Sequence, residues 1–270
     1  MPNPHSISKN ERTINITTIN AEGRGNSMYL SELQKTADIL CVQEHWLCEF
    51  QKHTLSTTVS EMDVAIRCSD SVEDIQNFNL PRGKGGVAIA WKKQYSHLID
   101  ELPDGNERIL AIEMKHPINL CIISAYMPTN NSSDSYIVYL ECFDVIKDII
   151  AKYSASHSIL HSGDMNGTLK EPRKYNKHDA LLQSFIEEIN LRITPSVMPT
   201  LYHHSGGSTS QIDYILHNSH DGFLFNYTVN NTCDINVSSH VPVSASLNIH
   251  WNVKQIVKKS NQTTYLGCYR

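Results

Sequence analysis

Seven polar side chains fall where short apolar runs stop or are interrupted. Asn20 closes TINITTIN (13–20), Glu44 follows ILCVQ (39–43), Tyr126 ends LCIISAY (120–126), and Asp164 and Asn166 lie in GDMNG, just after SILHS. Asp213 interrupts QIDYIL (211–216), and His240 precedes VPVSASLNI (241–249). Polar groups at strand ends ride on a rigid frame, which is where open α/β sheets place binding and reaction chemistry. The pattern therefore predicts one shared cleft. Taken singly, an Asn after a strand is an ordinary turn residue, GDMNG is a plausible tight turn, and a Glu after an apolar run usually faces solvent. Asp213 is different, because a carboxylate set between Ile212 and Tyr214 would be costly without a partner. His240 is a candidate for that partner, against the plainer reading of a structural histidine.

The elements that must position these groups can be read from periodicity. Residues 13–20 and 39–43 read as strands flanking a helix around Ser27–Thr36, a β-α-β opening. Further strands are expected at 86–91, 109–114, 120–126, 158–160, 211–216 and 241–249, rich in Ile, Val and aromatics. Tyr136, Leu140, Phe143, Ile146 and Ile150 recur at helical spacing, predicting a helix over Ser135–Tyr153, and 178–189 repeats the pattern more briefly. Strands and helices mixed in this way predict an α/β (α+β) sandwich. No internal repeat is present.

At 270 residues and 40% apolar composition the chain can bury a sizeable core as one domain. Twenty-three Lys and Arg against 28 Asp and Glu give a net charge of -5, which excludes coating nucleic acid by bulk positive charge. Nucleic-acid contact must then be local. Seven scattered cysteines without a C-x-x-C pair read as reduced thiols, not as a zinc site. The N-terminus has no apolar leader and no run is long enough to span a bilayer, so an intracellular location, nuclear or cytoplasmic, without membrane attachment is expected. The expected organisation is a flexible N-terminus (1–12), a folded domain (13–251) and a basic tail or linker (252–270).

In order along the chain stand Asn20, Q-E (Gln43-Glu44), Y-x-P (Tyr126 to Pro128), G-D-x-N (Gly163 to Asn166), I-D-Y (Ile212 to Tyr214) and S-x-H-x-P-V (Ser238 to Val243). The series resembles the endonuclease/exonuclease/phosphatase superfamily and, among its branches, the endonuclease domain of non-LTR retrotransposons. Each motif alone is short enough to arise by chance, but six in order are specific. RGKGGVAIAW, beginning at Arg82, also resembles a segment frequent in the retrotransposon branch.

The resemblance implies a four-layer sandwich, two mixed β-sheets face to face with helices outside, and metal-assisted phosphodiester cleavage at one rim. It implies Glu44 as the principal ligand for Mg²⁺ or Mn²⁺, with Asn20 near the same ion. It further implies that Asp164 deprotonates the attacking water, Asn166 orients it, Tyr126 donates to charge developing at phosphorus, and Asp213 holds His240 as a cation. The implied substrate is DNA, cut to 3′-hydroxyl and 5′-phosphate ends, by a monomer joined in its parent element to a reverse transcriptase. Arg24, Arg82, Lys84, Arg173 and Lys174 fall in loops that could grip the backbone, though solvated surface charge explains each as well.

Two positions depart from the pattern. Ser239 stands where S-D-H is usual, replacing an aspartate expected close to the metal, which bears on the strength of metal binding. Thr129 stands where an Asn usually follows the Pro, with Asn130 next to it as a compensating substrate contact. Two other readings stay open on sequence: a catalytically weak DNA-binding remnant, and a phosphoesterase of the same fold acting on another substrate.

Overall fold

The computed structural model describes residues 13–71, 83–132, 134–170, 173, 176–194, 196, 198–203 and 206–249. The expected N-terminal segment (1–12) and basic tail (252–270) lie outside them, as do Arg82 and Lys174.

β1 (Ile14–Asn20), α1 (Ser27–Thr36) and β2 (Ile39–Gln43) form the β-α-β opening. β1 and β2 pair in parallel, which sets Asn20 opposite Gln43. α2 (Lys52–Thr58), β3 (Met62–Arg67) and β4 (Val87–Lys92) follow, and then the meander β5 (Ile99–Asn106), β6 (Ile109–Met114) and β7 (Leu120–Tyr126). α3 (Ser135–Tyr153) leads into β8 (Ser158–Asp164), and α4 (Lys177–Glu188) into the short β9 (Arg192–Ile193). A two-stranded ribbon, β10 (Leu201–Tyr202) and β11 (Thr209–Ser210), precedes β12 (Asp213–His217), β13 (Leu224–Val229) and β14 (Val243–Leu247).

The strands assemble into two mixed six-stranded sheets, ordered β13-β14-β1-β2-β4-β3 and β5-β6-β7-β8-β12-β9. Their central strands are continuous apolar runs because both faces are covered. Along β2, Ile39 and Cys41 face the core between the sheets, while Leu40 and Val42 face a second core shared with Leu30 and Leu33 of α1 and Leu55 of α2. Along β7, Leu120 and Ile122 face the inter-sheet core, and Cys121, Ile123 and Ala125 pack with Phe143 and Ile146 of α3 and Phe185 of α4. This period-2 division between two cores produces four layers, helix, sheet, sheet, helix.

SILHS, expected as a strand only to Leu160, continues to Asp164, because β8 pairs in parallel with β7 along its whole length, ending with Tyr126 opposite Asp164. Gly163 makes this last pairing sterically feasible. It sits at φ +133°, and a Cβ there would lie 2.0 Å from the Ala125 carbonyl oxygen. Gly163→Ala should destabilise the chain by about 3 kcal/mol or more, read as a lowered urea midpoint at unchanged slope.

Candidate active site

The register carries the site. β1, β2, β7 and β8 all end at one rim of the sandwich, and antiparallel β12 begins there, with Asp213 opposite Asp164. Five of the seven polar positions singled out in the sequence are therefore strand-end neighbours; Asn166 lies two residues beyond Asp164, and the turn before β14 adds His240.

Asn20 is fully buried and bridges the two sheets. Its Nδ2 donates to Glu44 Oε1 at 2.8 Å and to Asp164 Oδ2 at 2.9 Å, while its Oδ1 accepts the Glu22 N–H at 3.0 Å. Glu44 itself sits at φ +52°, a conformation that a bulky residue adopts only when its surroundings hold it there. The bracing comes from the next residues. His45 is buried, its Nδ1 accepts the Leu47 N–H at 3.0 Å, and its ring fills the space where a Cβ on Gly86 would collide. The Trp46 indole N–H donates to Glu44 Oε2 at 3.0 Å. Trp46→Phe keeps the ring and removes this donor, so the catalytic rate of the site should fall by roughly ten-fold with the urea midpoint little changed.

Asp164 accepts the Asn166 backbone N–H at 2.9 Å and its side-chain amide at 3.3 Å, while the same amide also donates to the Met127 carbonyl at 2.8 Å. Asn166, like Glu44, has a positive φ, 46°. Burial and then the Asp213 charge push the Asp164 carboxyl well above the usual range, against the opposing pull of His240, Asn166 and Asn20. A carboxylate raised in this way is a better proton acceptor.

Asp213 and His240 form the partnership that the sequence called for. His240 Nδ1 donates to Asp213 Oδ2 at 2.9 Å in a buried pair, and Thr200 Oγ1 accepts the backbone N–H groups of Ile212 and Asp213, fixing the carboxylate's approach. Burial favours neutral imidazole, but the Asp213 carboxylate outweighs it and lifts the His240 pKa to about 10. His240 is then a cation at neutral pH, with both ring nitrogens acting as donors and no lone pair for a metal.

Burial, together with the Glu44 and Asp164 charges, drives the Tyr126 pKa up, so the hydroxyl stays a donor. The Arg108 guanidinium lies 5.2 Å from the Tyr126 ring centroid and brings positive charge to an otherwise acidic cleft. Asn130 stands apart: it is exposed on the loop after β7, and its amide donates to Asn176 at 3.3 Å. Arg173 is engaged with buried Asp179, whose carboxylate also accepts the Thr168 N–H behind the GDMNG turn. Sequence reading did not assign Glu22, Trp46, Arg108 or Thr200. Trp46 and Glu22, each two residues from an assigned position, were the two within reach of a motif-based search.

The donor set fits a hard divalent cation. Ligand atoms of Asp164, Asp213 and His240 lie within 4.8 Å of one another, and Asp213 Oδ1 is buried without a hydrogen-bond partner. With His240 held as a cation, the carboxylate oxygens of Asp164 and Asp213 are the members of that cluster suited to Mg²⁺ or Mn²⁺, and Glu44, outside the cluster, is tied to Asp164 through the Asn20 amide.

Two facing six-stranded sheets flanked by helices, with polar groups gathered at one rim, define the fold of endonuclease/exonuclease/phosphatase proteins. Among solved structures, the endonuclease domain of TRAS1, a telomere-specific non-LTR retrotransposon, superposes with a TM-score of 0.63 at 15% identity over 88% of this chain and 100% of that one. The AP endonuclease LMAP from Leishmania major gives 0.68 at 14% identity over 88% of each chain. An endonuclease/exonuclease/phosphatase family protein from Leptotrichia buccalis gives 0.61 at 14% over 87% of this chain and 99% of that one. At these identities the likeness is one of fold. No family model matches the sequence, and no curated protein matches it.

Proposed function

We propose that this chain is a divalent-metal-dependent DNA endonuclease that hydrolyses a phosphodiester to 3′-hydroxyl and 5′-phosphate ends. The observation that carries the reading is the Asn20 amide tying Glu44 to Asp164 while the Asp213–His240 pair stands on the other side of Asp164. One side is rich in oxygen ligands and the other carries a fixed cation. Phosphoryl transfer needs both, because negative charge must be tolerated at rest and stabilised as the phosphorane-like transition state forms.

Glu44 would hold the cation, with Asn20 keeping that carboxylate at a fixed distance from Asp164. Bound Mg²⁺ or Mn²⁺ would reverse the sign of an acidic cleft and polarise a phosphate oxygen. Asp164 takes a proton from the water that attacks phosphorus, with Asn166 holding the Asp164 carboxylate in place. The water oxygen bonds to phosphorus as the bond from phosphorus to the 3′ oxygen breaks, the Tyr126 hydroxyl and His240 imidazolium donate to the charge that develops, and the departing 3′ oxygen takes a proton from solvent water to become the hydroxyl. Asn130, exposed on the loop after β7, would touch the strand beyond the scissile bond. A nick made this way leaves a 3′-hydroxyl able to prime synthesis, the use a retrotransposon would make of it.

The test is a duplex oligonucleotide labelled at one end and incubated with Mg²⁺. Nicks should form whose 3′ ends a DNA polymerase extends without prior phosphatase treatment. Release of inorganic phosphate from a 3′-phosphorylated end, with intact strands untouched, would instead favour a phosphoesterase of the same fold.

A further inference from the structure

Beyond Asp164 the chain leaves its sheet, and from Met165 to Leu169 its backbone groups are held largely by side chains of other elements. The Tyr139 hydroxyl of α3 donates to the Met165 carbonyl at 2.7 Å, and the Tyr214 hydroxyl of β12 accepts the Leu169 N–H at 3.0 Å. Asp179, in the first turn of α4, accepts the Thr168 N–H on Oδ1 at 2.9 Å. The Arg173 guanidinium completes the set. Its Nη2 donates to Asp179 Oδ1 at 2.7 Å and to the Asn166 carbonyl at 3.3 Å, and its Nε donates to Asp179 Oδ2 at 3.0 Å. The Arg173 backbone N–H reaches the same Oδ2 at 2.7 Å.

Asp179 is fully buried, and a buried ion pair is weak evidence for stability, since desolvation of the charges offsets most of their attraction and apolar residues of similar volume often serve the fold as well. What such a pair supplies is direction. A planar guanidinium seated on both oxygens of a carboxylate has one orientation, and here that orientation delivers Nη2 to the Asn166 carbonyl. Asn166 needs the constraint. It sits at φ 46°, a conformation that asparagine tolerates but does not enforce. Its N–H and side-chain amide both donate to Asp164, and the amide also holds the Met127 carbonyl. Releasing the Asn166 carbonyl frees the peptide that follows it to rotate, and the two donors to Asp164 shift with it.

We propose that Arg173 and Asp179 are a positioning clamp for the reaction: from behind the turn they fix the Asn166 carbonyl and, through Asn166, the orientation of the Asp164 carboxylate. Both are positioning residues. Their role rests on the endonuclease reading above.

The test is steady-state and single-turnover nicking of a duplex oligonucleotide in Mg²⁺, with melting curves, for wild type, Arg173→Lys, and the neutral pair Arg173→Gln with Asp179→Asn. The neutral pair leaves no buried charge alone and keeps an acceptor for the Thr168 N–H, so its melting temperature should stay within a few degrees of wild type. Its kcat should fall about 30-fold with KM within roughly two-fold, the cost of a misplaced reacting group. Arg173→Lys keeps the charge and loses the fork; its kcat should fall about ten-fold, which keeps the test open if the neutral pair does not fold. Added to Asp164→Asn, the neutral pair should cost less than about three-fold more, because a clamp that aligns Asp164 has nothing left to align.

A folded neutral pair with wild-type kcat would overturn the proposal and leave the clamp a structural staple. A raised KM at unchanged kcat would overturn it too, and would make Arg173 a grip on the DNA backbone. So would wild-type kcat in Arg173→Lys, or a full 30-fold further loss in the Asp164→Asn background. Folded wild type that does not nick DNA would remove the endonuclease reading and the clamp together, whereas nicking by wild type matched by the neutral pair removes the clamp alone.

Discussion

Asp164→Asn should nick DNA about 10³-fold more slowly than wild type while remaining folded. The side chain is isosteric, so the packing of β8 against β7 and β12 survives. What disappears is the proton acceptor: an amide cannot take a proton from water, and general base catalysis contributes on the order of 10²–10⁴-fold. Stability should move little because two effects oppose each other. The amide keeps one acceptor oxygen in place of two, so one of the donors from Asn20 and Asn166 loses its partner, at about 1 kcal/mol. Against this, the repulsion between the buried Asp164 and Asp213 charges is relieved. Single-turnover nicking beside a urea curve separates a lost base from a lost fold, and a variant retaining more than a tenth of the rate would move the base elsewhere.

His240→Gln carries the second large effect, and it has two readouts. Nicking should fall by about 10²–10³-fold, the range expected when a charged donor to the transition state is removed. Stability should change as well, and its pH dependence has a definite sign. The folded-state pKa of His240, about 10, lies above the value near 6.5 of an unfolded histidine. The folded protein therefore holds a proton that the unfolded chain releases, so this contribution is fully present below about pH 6.5 and is lost as pH rises through about 10. In EDTA, wild type should lose on the order of a few kcal/mol between pH 7 and pH 10, and the variant should lack most of that slope. Parallel slopes in the two proteins would mean that the Asp213–His240 pair does not hold the charge assigned to it.

The division between what sequence revealed and what it hid follows the sheets. The eight strands that lie inside the two sheets, β14, β1, β2 and β4 in one and β6, β7, β8 and β12 in the other, all coincide with apolar runs read from the sequence. The four edge strands, β13, β3, β5 and β9, do not. An inner strand buried on both faces must be apolar nearly throughout, whereas an edge strand can carry polar residues or proline. β5 does so in IDELPDGN, which reads as a loop.

The site divides in a similar way. Groups on inner-strand ends, Asn20, Tyr126, Asp164 and Asp213, were legible because a polar residue ending an apolar run is conspicuous. Glu22, Trp46 and Arg108 were not, because they lie in turns where polar and aromatic residues are common, and only tertiary pairing shows what they touch. The Ser239 substitution read as a missing carboxylate. In the folded chain the Glu22 carboxylate, from the turn after β1, accepts the Ser239 backbone N–H.

The measurement closest to the central claim is relaxation of supercoiled plasmid by the purified chain in Mg²⁺, Mn²⁺ and EDTA, beside Glu44→Ala and His240→Ala. Open-circular product should form only with the cation and be lost in both variants. Folded wild-type protein that leaves the plasmid supercoiled under every condition, or nicking that persists in EDTA or in the two variants, would contradict it.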